Sequence, residues 1–349
     1  MPDWRGSLEG ASGMEGNVKL KDIAKALGVS VVTVSNALSG KKGVSDQVRR
    51  EAVGKARELG YDLHKYEKRK SDSAKIGVLV SEKYVTIGVS FYWALYQQVA
   101  CAASARKSFT MIEIAQNGAE ESGELPKLLT EGAVDGLIII GRMEEAYMEK
   151  VIAAAGVPVV LLDYHNDRFP CLAVMSNNYL GMYRATRYLL ERGHREIAFV
   201  GSVKATDNIM DRYYGYCKGL REYGIPIRRD WVIEDRDLES GVVSVALPEH
   251  MPTAFVCNCD NTAGVLYDRL AEAGLRVPED VSVTGYDDYL FNHVFSSSLT
   301  TYHVDMGEMA RLAVKLLLRQ VRKKEGGRGV RYVDGFMVER GSVKNMEEA

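Results

Sequence analysis

The 349-residue sequence has no apolar run of the roughly 18 residues that a membrane-spanning helix needs. Residues 1–16 are polar and lack the apolar segment of a secretory signal, so we expect a cytoplasmic chain without membrane contact. The five cysteines show neither the spacing of a disulfide framework nor that of a zinc site. Hydrophobic residues make up 46% and charged residues 26%, a globular composition that argues against disorder, collagen and coiled coil.

The common motifs of enzymes are missing as well. The sequence contains no Gly-x-Gly-x-x-Gly loop, no His-Glu-x-x-His and no Gly-x-Ser-x-Gly. Gly136 and Gly141 have the spacing of a phosphate-binding loop, but Arg142 and Met143 stand where Lys and Ser or Thr are required. The two cysteines of residues 257–259 lack a second pair of metal ligands. We therefore predict that the protein is not an enzyme and holds no metal or cofactor.

Charge is distributed unevenly, although the formal net charge of the whole chain is only −2. Residues 18–75 contain 14 Lys and Arg against 7 Asp and Glu, so this segment is basic and the remainder is acidic. A basic segment on an acidic body suits binding to a polyanion such as nucleic acid. The alternative is a solvated, charged bundle of helices.

Three short amphipathic helices are predicted within the basic segment. Apolar residues recur at helical spacing over residues 20–27, and Gly28 ends this first helix. A second helix follows after only a few residues, which is the signature of a helix-turn-helix unit. Ser45 is a good N-cap for a third helix, which Gly60 ends. The side chains expected to face inward from the second and third helices are Val34, Ala37, Leu38, Val48, Ala52, Ala56 and Leu59.

The second helix carries most of the residues that we expect to contact DNA. In a major groove, its valine methyl groups can contact the thymine methyl, and Asn36 can make two hydrogen bonds to adenine. The alternative places Val31 and Val32 in the core of the bundle. The predicted DNA-binding residues are Ser30, Val31, Val32, Thr33, Ser35, Asn36, Lys41, Lys42 and Ser45.

From residue 75 onward, short β-branched runs alternate with helical patterns, which predicts an α/β fold of parallel, doubly wound sheets. Because about 270 residues exceed one such domain, we expect two lobes. The predicted strands are 76–81, 110–114, 137–140, 157–162, 173–176, 197–201, 254–257 and 281–285. The predicted helices are 91–106, 179–192, 212–223, 261–273 and 307–322.

Both parts of the sequence resemble the lactose-repressor (LacI/GalR) family of bacterial transcription regulators. The three-helix head carries the family pattern in residues 20–36, 44–45 and 60–61. The body carries family motifs in family order at residues 134–138, 156–163, 193–199, 212–216, 252–255, 277–288 and 299–301. The resemblance spans residues 18–345 and implies a core similar to two-lobed periplasmic sugar-binding proteins.

The resemblance implies four parts: an extension at 1–17, a DNA-binding head at 18–61, a basic linker at 62–75, and a core for effector binding and dimerisation at 76–345. Two positions in the first part of the chain depart from the family pattern. Lys19 replaces a threonine N-cap, which weakens that cap. Lys70 stands near the position of the family's hinge leucine, so a linker that follows phosphates is favoured over a helix wedged into the minor groove.

An effector site is expected where the strands of the sheets end. Asp163 and Asp287 follow predicted strands, and Arg212 is expected to begin a helix. Two carboxylates and a guanidinium suit a ligand with several hydroxyl groups, and the resemblance implies effector contacts for all three residues. The alternative is that they form a salt bridge between the lobes or cap helices.

Other positions around this site depart from the family pattern. Cys259 replaces an asparagine, and a thiol is a weak hydrogen-bond partner. Phe91 and Tyr92 can stack on a ligand ring or belong to the helix core. Residues 241–252 are too few for the helix that the family places there. The predicted effector-binding residues are Phe91, Tyr92, Asp163, Arg212, Cys259 and Asp287.

The expected function is that of a homodimeric transcription regulator, more specifically a repressor, that binds a near-palindromic operator in double-stranded DNA under the control of a sugar-like effector. A solute-binding protein for a transporter or receptor is the alternative, but it needs export and leaves residues 18–60 unexplained. An enzyme fused to a DNA-binding head is a third possibility, and the missing catalytic motifs argue against it.

Replacing one base-contacting and one phosphate-contacting residue tests the assignment of the second helix. We expect Asn36→Ala to relax the base preference, because the adenine-specific bonds are lost. We expect Lys41→Ala to weaken binding to all sequences alike, because phosphates carry no sequence information. Gel-shift titrations against operator and scrambled DNA measure both effects. Uniform weakening by both variants would mean that the helix is misassigned.

Overall fold

The computed structural model describes residues 18–39, 43–61, 63, 73–85, 90–238, 240–289, 297–323 and 326–347. The chain divides into two compact units between Ser73 and Ala74, and each unit is described by itself. The predicted linker at 62–75 lies largely outside the described residues, so its boundaries and its conformation stay predictions.

The described residues of the first unit form three helices at the positions predicted for the head: α1 (Leu20–Leu27), α2 (Val31–Leu38) and α3 (Asp46–Glu58). Their inward residues meet in a small apolar core made of Ile23, Ala24, Val34 and Ala56, with Leu20, Leu27 and Leu38 packed against it. The prediction that Leu59 faces inward is wrong. Leu59 is 36% exposed because α3 ends at Glu58 and the chain turns away there.

Hydrogen bonds at the helix ends fix the turns between these helices. Lys19 offers α1 no side-chain cap, but the Asp22 carboxylate accepts a hydrogen bond from the Lys19 backbone N–H at 2.8 Å. That bond replaces part of the missing cap and places a negative charge at the helix N-terminus. Ser30 Oγ accepts from the Thr33 N–H at 3.0 Å, and Ser45 caps α3 in the same way.

The second unit alternates strands and helices along the chain. Its strands are β1 (Lys75–Ser81), β2 (Phe109–Ala115), β3 (Gly136–Ile140), β4 (Val159–Leu162), β5 (Leu172–Ser176), β6 (Ile197–Val200), β7 (Val232–Ile233), β8 (Ala254–Cys257), β9 (Ser282–Asp287), β10 (Thr300–His303), β11 (Gly329–Val333) and β12 (Phe336–Val338). Its helices are α4 (Phe91–Ser104), α5 (Asn117–Ser122), α6 (Lys127–Thr130), α7 (Glu145–Ala154), α8 (Asn178–Glu191), α9 (Asp207–Glu222), α10 (Asp260–Glu272) and α11 (Met306–Lys323). Among the described residues, no helix has the length and apolar character needed to cross a bilayer.

The strands form two sheets, one in each lobe. The first has the order β11-β5-β4-β3-β1-β2 and is parallel throughout, with Ile76 opposite Thr110 on one side and Gly136 on the other. The second has the order β12-β10-β9-β8-β6-β7 and is parallel except for β12, which runs antiparallel to β10. The predicted α/β class with two lobes is therefore confirmed.

The chain passes between the lobes after β5, after β10 and after β11. Helix α8 follows β5 of the first sheet but packs against α9 and the second sheet. Helix α11 follows β10 of the second sheet but packs against α4 and the first sheet. The carboxyl ends of strands from both sheets consequently border one shared space.

Several elements lack a clear sequence signal and were not predicted. Strand β10 reads Thr-Thr-Tyr-His, which contains no apolar run although its first three residues are buried. Strand β7 has two residues, and β11 and β12 are edge strands with mostly exposed or half-buried side chains. By contrast, β3 is buried along its whole length and was recognised from its apolar run, as expected for a strand covered on both faces.

The close approach of α8 and α9 can be tested at Gly215. A Cβ at this position would lie 2.2 Å from the Tyr179 carbonyl oxygen and 2.8 Å from the Tyr183 nitrogen. We expect Gly215→Ala to lower the free energy of unfolding by about 1–3 kcal/mol through overpacking. Gly118→Ala is the control, because its helix is open there and alanine stabilises it by up to about 1 kcal/mol. Urea unfolding measures both, and equal stability of the two variants would contradict this packing.

Candidate effector cavity and nucleic-acid interface

The first turn of α2 presents apolar side chains to solvent. Val31 is 44% and Val32 68% exposed, whereas Val34 and Ala37 on the same helix are buried. The alternative that places Val31 and Val32 in the core is therefore wrong. Two exposed valines beside each other at a helix N-terminus form a surface that can meet thymine methyl groups.

The polar residues predicted to contact DNA lie around the same helix. Thr33, Ser35 and Asn36 are half-buried, and the Ser30 hydroxyl lies 2.8 Å from that of Thr33. Ser45 is exposed at the start of α3. Lys41 and Lys42 lie outside the described residues. The contacts of all these residues with DNA stay predictions.

The second unit contains a cavity of about 340 Å³ at the carboxyl ends of strands from both sheets. It brings together all six residues predicted for the effector site, which are Phe91, Tyr92, Asp163, Arg212, Cys259 and Asp287. The cavity also has lining residues that were not predicted, among them Lys83, Tyr84, Asn208, Arg236, Asn258 and Tyr289. We call this space the cavity.

Asp163 enters the cavity from the first lobe. It directly follows β4 with a positive φ of 59°, a conformation that aspartate tolerates better than most residues. Its Oδ2 accepts hydrogen bonds from the Tyr92 hydroxyl and from Asn208 Nδ2, both at 3.1 Å. Burial raises the pKa of Asp163 to about 6, although Arg212 and these two hydrogen bonds oppose the shift.

Arg212 lies in the second turn of α9 rather than at the start of a helix, so the predicted helix start at residue 212 is wrong. The helix begins at Asp207, and the Thr206 hydroxyl caps it by accepting from the Ile209 N–H at 3.2 Å. A threonine followed by an acidic residue is a helix-start signal in the sequence that the prediction overlooked.

The Arg212 guanidinium is buried and held from several sides. Its Nε donates to Asn178 Oδ1 at 2.8 Å, and its Nη1 donates to the Asn258 carbonyl oxygen at 2.7 Å. Its central carbon lies 4.0 Å from the centre of the Tyr286 ring. These contacts orient the plane of the group and leave Nη2 directed at Asp287.

Asp287 is the last residue of β9 and has a φ of 106°. Its Oδ1 lies 3.5 Å from Arg212 Nη2, and this buried oxygen has no hydrogen-bond partner among the described residues. Burial raises the pKa of Asp287 to about 7; Arg212 opposes this shift and Asp163 adds to it. Since α9 and β9 belong to the same lobe, this ion pair does not bridge the lobes as the alternative supposed.

Cys259 borders the cavity beside a second guanidinium. Its Sγ lies 3.2 Å from Thr262 Oγ1 and 3.9 Å from Arg236 Nη2. Arg236 forms two hydrogen bonds with the buried Asp235 carboxylate, at 3.0 and 2.6 Å. Burial opposes ionisation of Asp235, but Arg236 and Thr262 hold its pKa at about 2. This fixed ion pair is a part of the wall that sequence reasoning missed.

The segment between β7 and β8 has no helix in its described residues, as its short length suggested. An antiparallel bridge pairs Arg236 with Val243, and the Ser244 N–H donates to the Asp235 carbonyl oxygen at 2.8 Å. This turn brings Gly241 and Val243 to the cavity.

Aromatic side chains line one end of the cavity. The ring centres of Tyr84 and Tyr92 are 4.4 Å apart, and Phe91 meets Tyr92 edge to face at 5.5 Å. Phe91 also meets Tyr289 edge to face at 6.1 Å. Phe91 and Tyr92 are thus both packed in an aromatic group and available at the cavity wall, so their role toward a ligand stays a prediction.

No group of three or more His, Cys, Asp or Glu suited to a metal ion occurs within the part of the chain that the structure describes. All five cysteines are free thiols. The acids, guanidinium groups and aromatic rings that line the cavity offer hydrogen bonding, charge pairing and stacking.

Two family models match the sequence, one in each compact unit. Residues 19–62 match the bacterial regulatory proteins of the lacI family, and residues 186–343 match the periplasmic binding protein-like domain. The first match covers the three helices of the head. The second covers most of the second lobe, including Arg212, Cys259 and Asp287.

Similar proteins cover nearly the whole chain. The sequence is 25% identical over 338 residues to the HTH-type transcriptional repressor PurR of Vibrio cholerae serotype O1 (strain M66-2), covering 95% of this chain and 99% of that protein. The structure is similar to that of the transcriptional regulator CelR in complex with cellobiose (TM-score 0.65, 22% identity, 93% and 99% coverage). It is also similar to the lac repressor dimer bound to operator and the anti-inducer ONPF (TM-score 0.64, 23% identity, 94% and 100% coverage). At these identities, the two structures show the shared fold.

The raised pKa of Asp163 predicts a pH dependence of stability. A carboxyl with a raised folded-state pKa stabilises the fold below its unfolded pKa, and this contribution is lost as the pH rises through about 6. We expect the free energy of unfolding of the wild type to decrease by on the order of 2 kcal/mol between about pH 4 and pH 7 because of this carboxyl. The Asp163→Asn variant should lack this decrease. Chemical unfolding at several pH values measures this, with Asp268→Asn on the exposed side of α10 as control. Parallel pH curves for wild type and Asp163→Asn would contradict the shift.

Proposed function

Since the chain belongs to the lacI family of bacterial regulatory proteins, we propose that it is a transcriptional repressor that binds operator DNA as a homodimer. A sugar-like effector in the cavity of the second unit controls this binding. The observation that carries the proposal is the presence in one chain of a helix-turn-helix head with exposed α2 valines and a cavity built around Arg212 and Asp287.

The basic segment and the surface of α2 support DNA binding. Phosphate contacts from residues 18–75 supply affinity that falls steeply with salt, and the first turn of α2 supplies base contacts. One head of this size makes few contacts, so two heads joined through dimerised cores bind a near-palindromic site far more tightly than either alone. PurR is described as a repressor, which supports the direction of regulation. We expect the protein to act in the cytoplasm, where its DNA is.

The size and the polar groups of the cavity support a small effector. A volume of about 340 Å³ lies within the range of small-molecule sites, and its acids and guanidinium suit hydroxyl groups. CelR, which shares the fold, is described in complex with cellobiose. Because the cavity borders both lobes, a ligand there can favour one arrangement of the lobes, and it alters DNA affinity by its difference in affinity for the two arrangements.

The alternatives have less support. A solute-binding protein for a transporter leaves the match of residues 19–62 unexplained. The similar proteins reported above are described as repressors or regulators, so they do not support an enzyme with a fused DNA-binding head.

Operator protection with and without sugars tests the proposal. We expect purified protein to protect an inverted repeat in its own promoter at moderate salt, and the protection to change when the effector is added. We expect Arg212→Gln to retain DNA binding but to weaken the effector response about tenfold or more, because the guanidinium at the centre of the cavity is lost. Arg221→Gln, on the exposed side of the same helix, is the control.

A melting curve is measured first, to establish whether the Arg212→Gln variant is folded. Absence of protection under all conditions would contradict the assignment as a DNA-binding regulator. A normal effector response in the Arg212→Gln variant would contradict the assignment of the cavity.

A further inference from the structure

We propose that the effector carries a positive charge: it is an amine on a sugar-like body, and its ammonium group binds between Asp163 and Asp287. This inference rests on the proposed function, since it names the chemical class of ligand for the same cavity. It follows from a shortage of positive charge at the centre of the cavity.

Apart from the exposed Lys83 and from Arg236, which is paired with Asp235, the charged residues that line the described cavity are two acids and one guanidinium. Asp163 and Asp287 reach the cavity from the two lobes, and Arg212 acts on both carboxylates. Asp260 lies behind the wall, where its carboxylate accepts from the Thr301 hydroxyl at 2.6 Å and from the Tyr289 N–H at 2.9 Å. Two buried carboxyl groups thus face the cavity beside Arg212, and a third lies next to the wall.

Arg212 makes no hydrogen bond of good length to either acid that faces the cavity in the described structure. Its Nε and Nη1 already donate to Asn178 and Asn258 at 2.8 and 2.7 Å. Only Nη2 faces Asp287, and its distance of 3.5 Å from Oδ1 is too long for a good hydrogen bond. Asp287 Oδ1 is therefore held near a positive charge but has no hydrogen-bond donor among the described residues.

The other basic groups near the cavity are used elsewhere. Arg236 is paired with Asp235 through two hydrogen bonds, so that pair adds no net charge. Lys83 is exposed at the rim, with its Nζ 5.2 Å from the centre of the Tyr84 ring. Water screens a charge at such a position, so Lys83 compensates a buried acid only weakly.

The neighbouring acid Asp288 does not share this shortage. Its carboxylate pairs with Arg340 at 2.7 Å and with His303 at 3.0 Å. Two adjacent acids at the end of β9 thus have opposite surroundings: one is paired within the protein, and the other faces the cavity with an unpartnered oxygen.

An ammonium group supplies what the cavity lacks. It carries three N–H donors, which can satisfy the unpartnered Asp287 Oδ1 and also reach Asp163. Its charge balances the second carboxylate, whereas a hydroxyl group donates a hydrogen bond and leaves the charge uncompensated. The raised pKa values of Asp163 and Asp287 agree with this account, because burial disfavours their ionised forms by more than Arg212, and for Asp287 also Arg236, stabilises them.

The aromatic end of the cavity suits the rest of such a ligand. The faces of Tyr84, Phe91, Tyr92 and Tyr289 attract cations, and they also pack against the apolar face of a sugar ring. The Tyr289 hydroxyl is buried without a hydrogen-bond partner among the described residues, so it is available to a ligand hydroxyl.

Matched ligands that differ only in the amine test the proposal. The probes are glucosamine, glucose and N-acetylglucosamine, and galactosamine, galactose and N-acetylgalactosamine, measured by thermal shift and calorimetry on the full chain. We expect at least one amino sugar to bind about tenfold or more tightly than both its neutral partners. We also expect its affinity to increase as the pH rises from about 5 to 7, because the ammonium group binds the ionised carboxylates and releases protons.

Charge-removing variants identify the groups responsible. Asp287→Asn and Asp163→Asn each keep the size of the side chain and should each abolish most of the preference for the amine. Two variants are used so that the test remains possible if one of them does not fold. Asp268→Asn on the exposed side of α10 is the control and should keep the preference.

Two results would overturn the proposal. One is a neutral sugar that binds as tightly as its amino counterpart, and the other is the absence of any thermal shift with either amino sugar at about 10 mM, a weak-binding concentration. Operator protection is measured separately. If the protein protects operator DNA and responds to a neutral sugar, the proposed function stands and only this inference fails.

Discussion

The cavity of the second unit depends on one buried guanidinium. Arg212 ties α9 to α8 through Asn178, to the end of β8 through the Asn258 carbonyl, and to the end of β9 through Asp287. A buried charge is costly unless it is paired and hydrogen-bonded, so these partners stabilise the buried guanidinium and fix its orientation in the cavity. The pairing with Asp287 is incomplete, and in the proposed function the unpartnered Asp287 Oδ1 is the atom that a ligand would contact.

The surrounding architecture keeps this arrangement in place. Close packing of α8 and α9, made possible by Gly215, fixes the helix that carries Arg212. Parallel strands of the two sheets end at the same space, so Asp163 and Asp287 reach it from different lobes. A change in the relative position of the lobes therefore changes the distance between these acids. In this way a ligand that binds both acids can influence the rest of the protein.

Much of this could be predicted from the sequence, because the relevant signals are local. The apolar runs of β1 and β3 and the alternation with helical patterns indicated parallel sheets, and acids after strands indicated where a site lies. The exposure of the first two valines of α2 could be predicted, because Val34 and Ala37 already fill the apolar stripe of this helix that faces the core. Strand β10 escaped prediction because Thr300 and Thr301 are buried by tertiary packing rather than by apolar character. Arg236 was missed because its place depends on Asp235 and on a turn closed by Val243, which no local pattern reveals.

The central claim is that occupancy of the cavity and affinity for DNA are linked. Thermodynamic linkage requires that operator DNA change the affinity for the effector by the same factor by which the effector changes the affinity for operator. Calorimetric titration of the effector into the protein, with and without operator, measures this factor directly. The account predicts two equal factors that both differ from one. An effector that binds the cavity with the same affinity in the presence and absence of operator would contradict it.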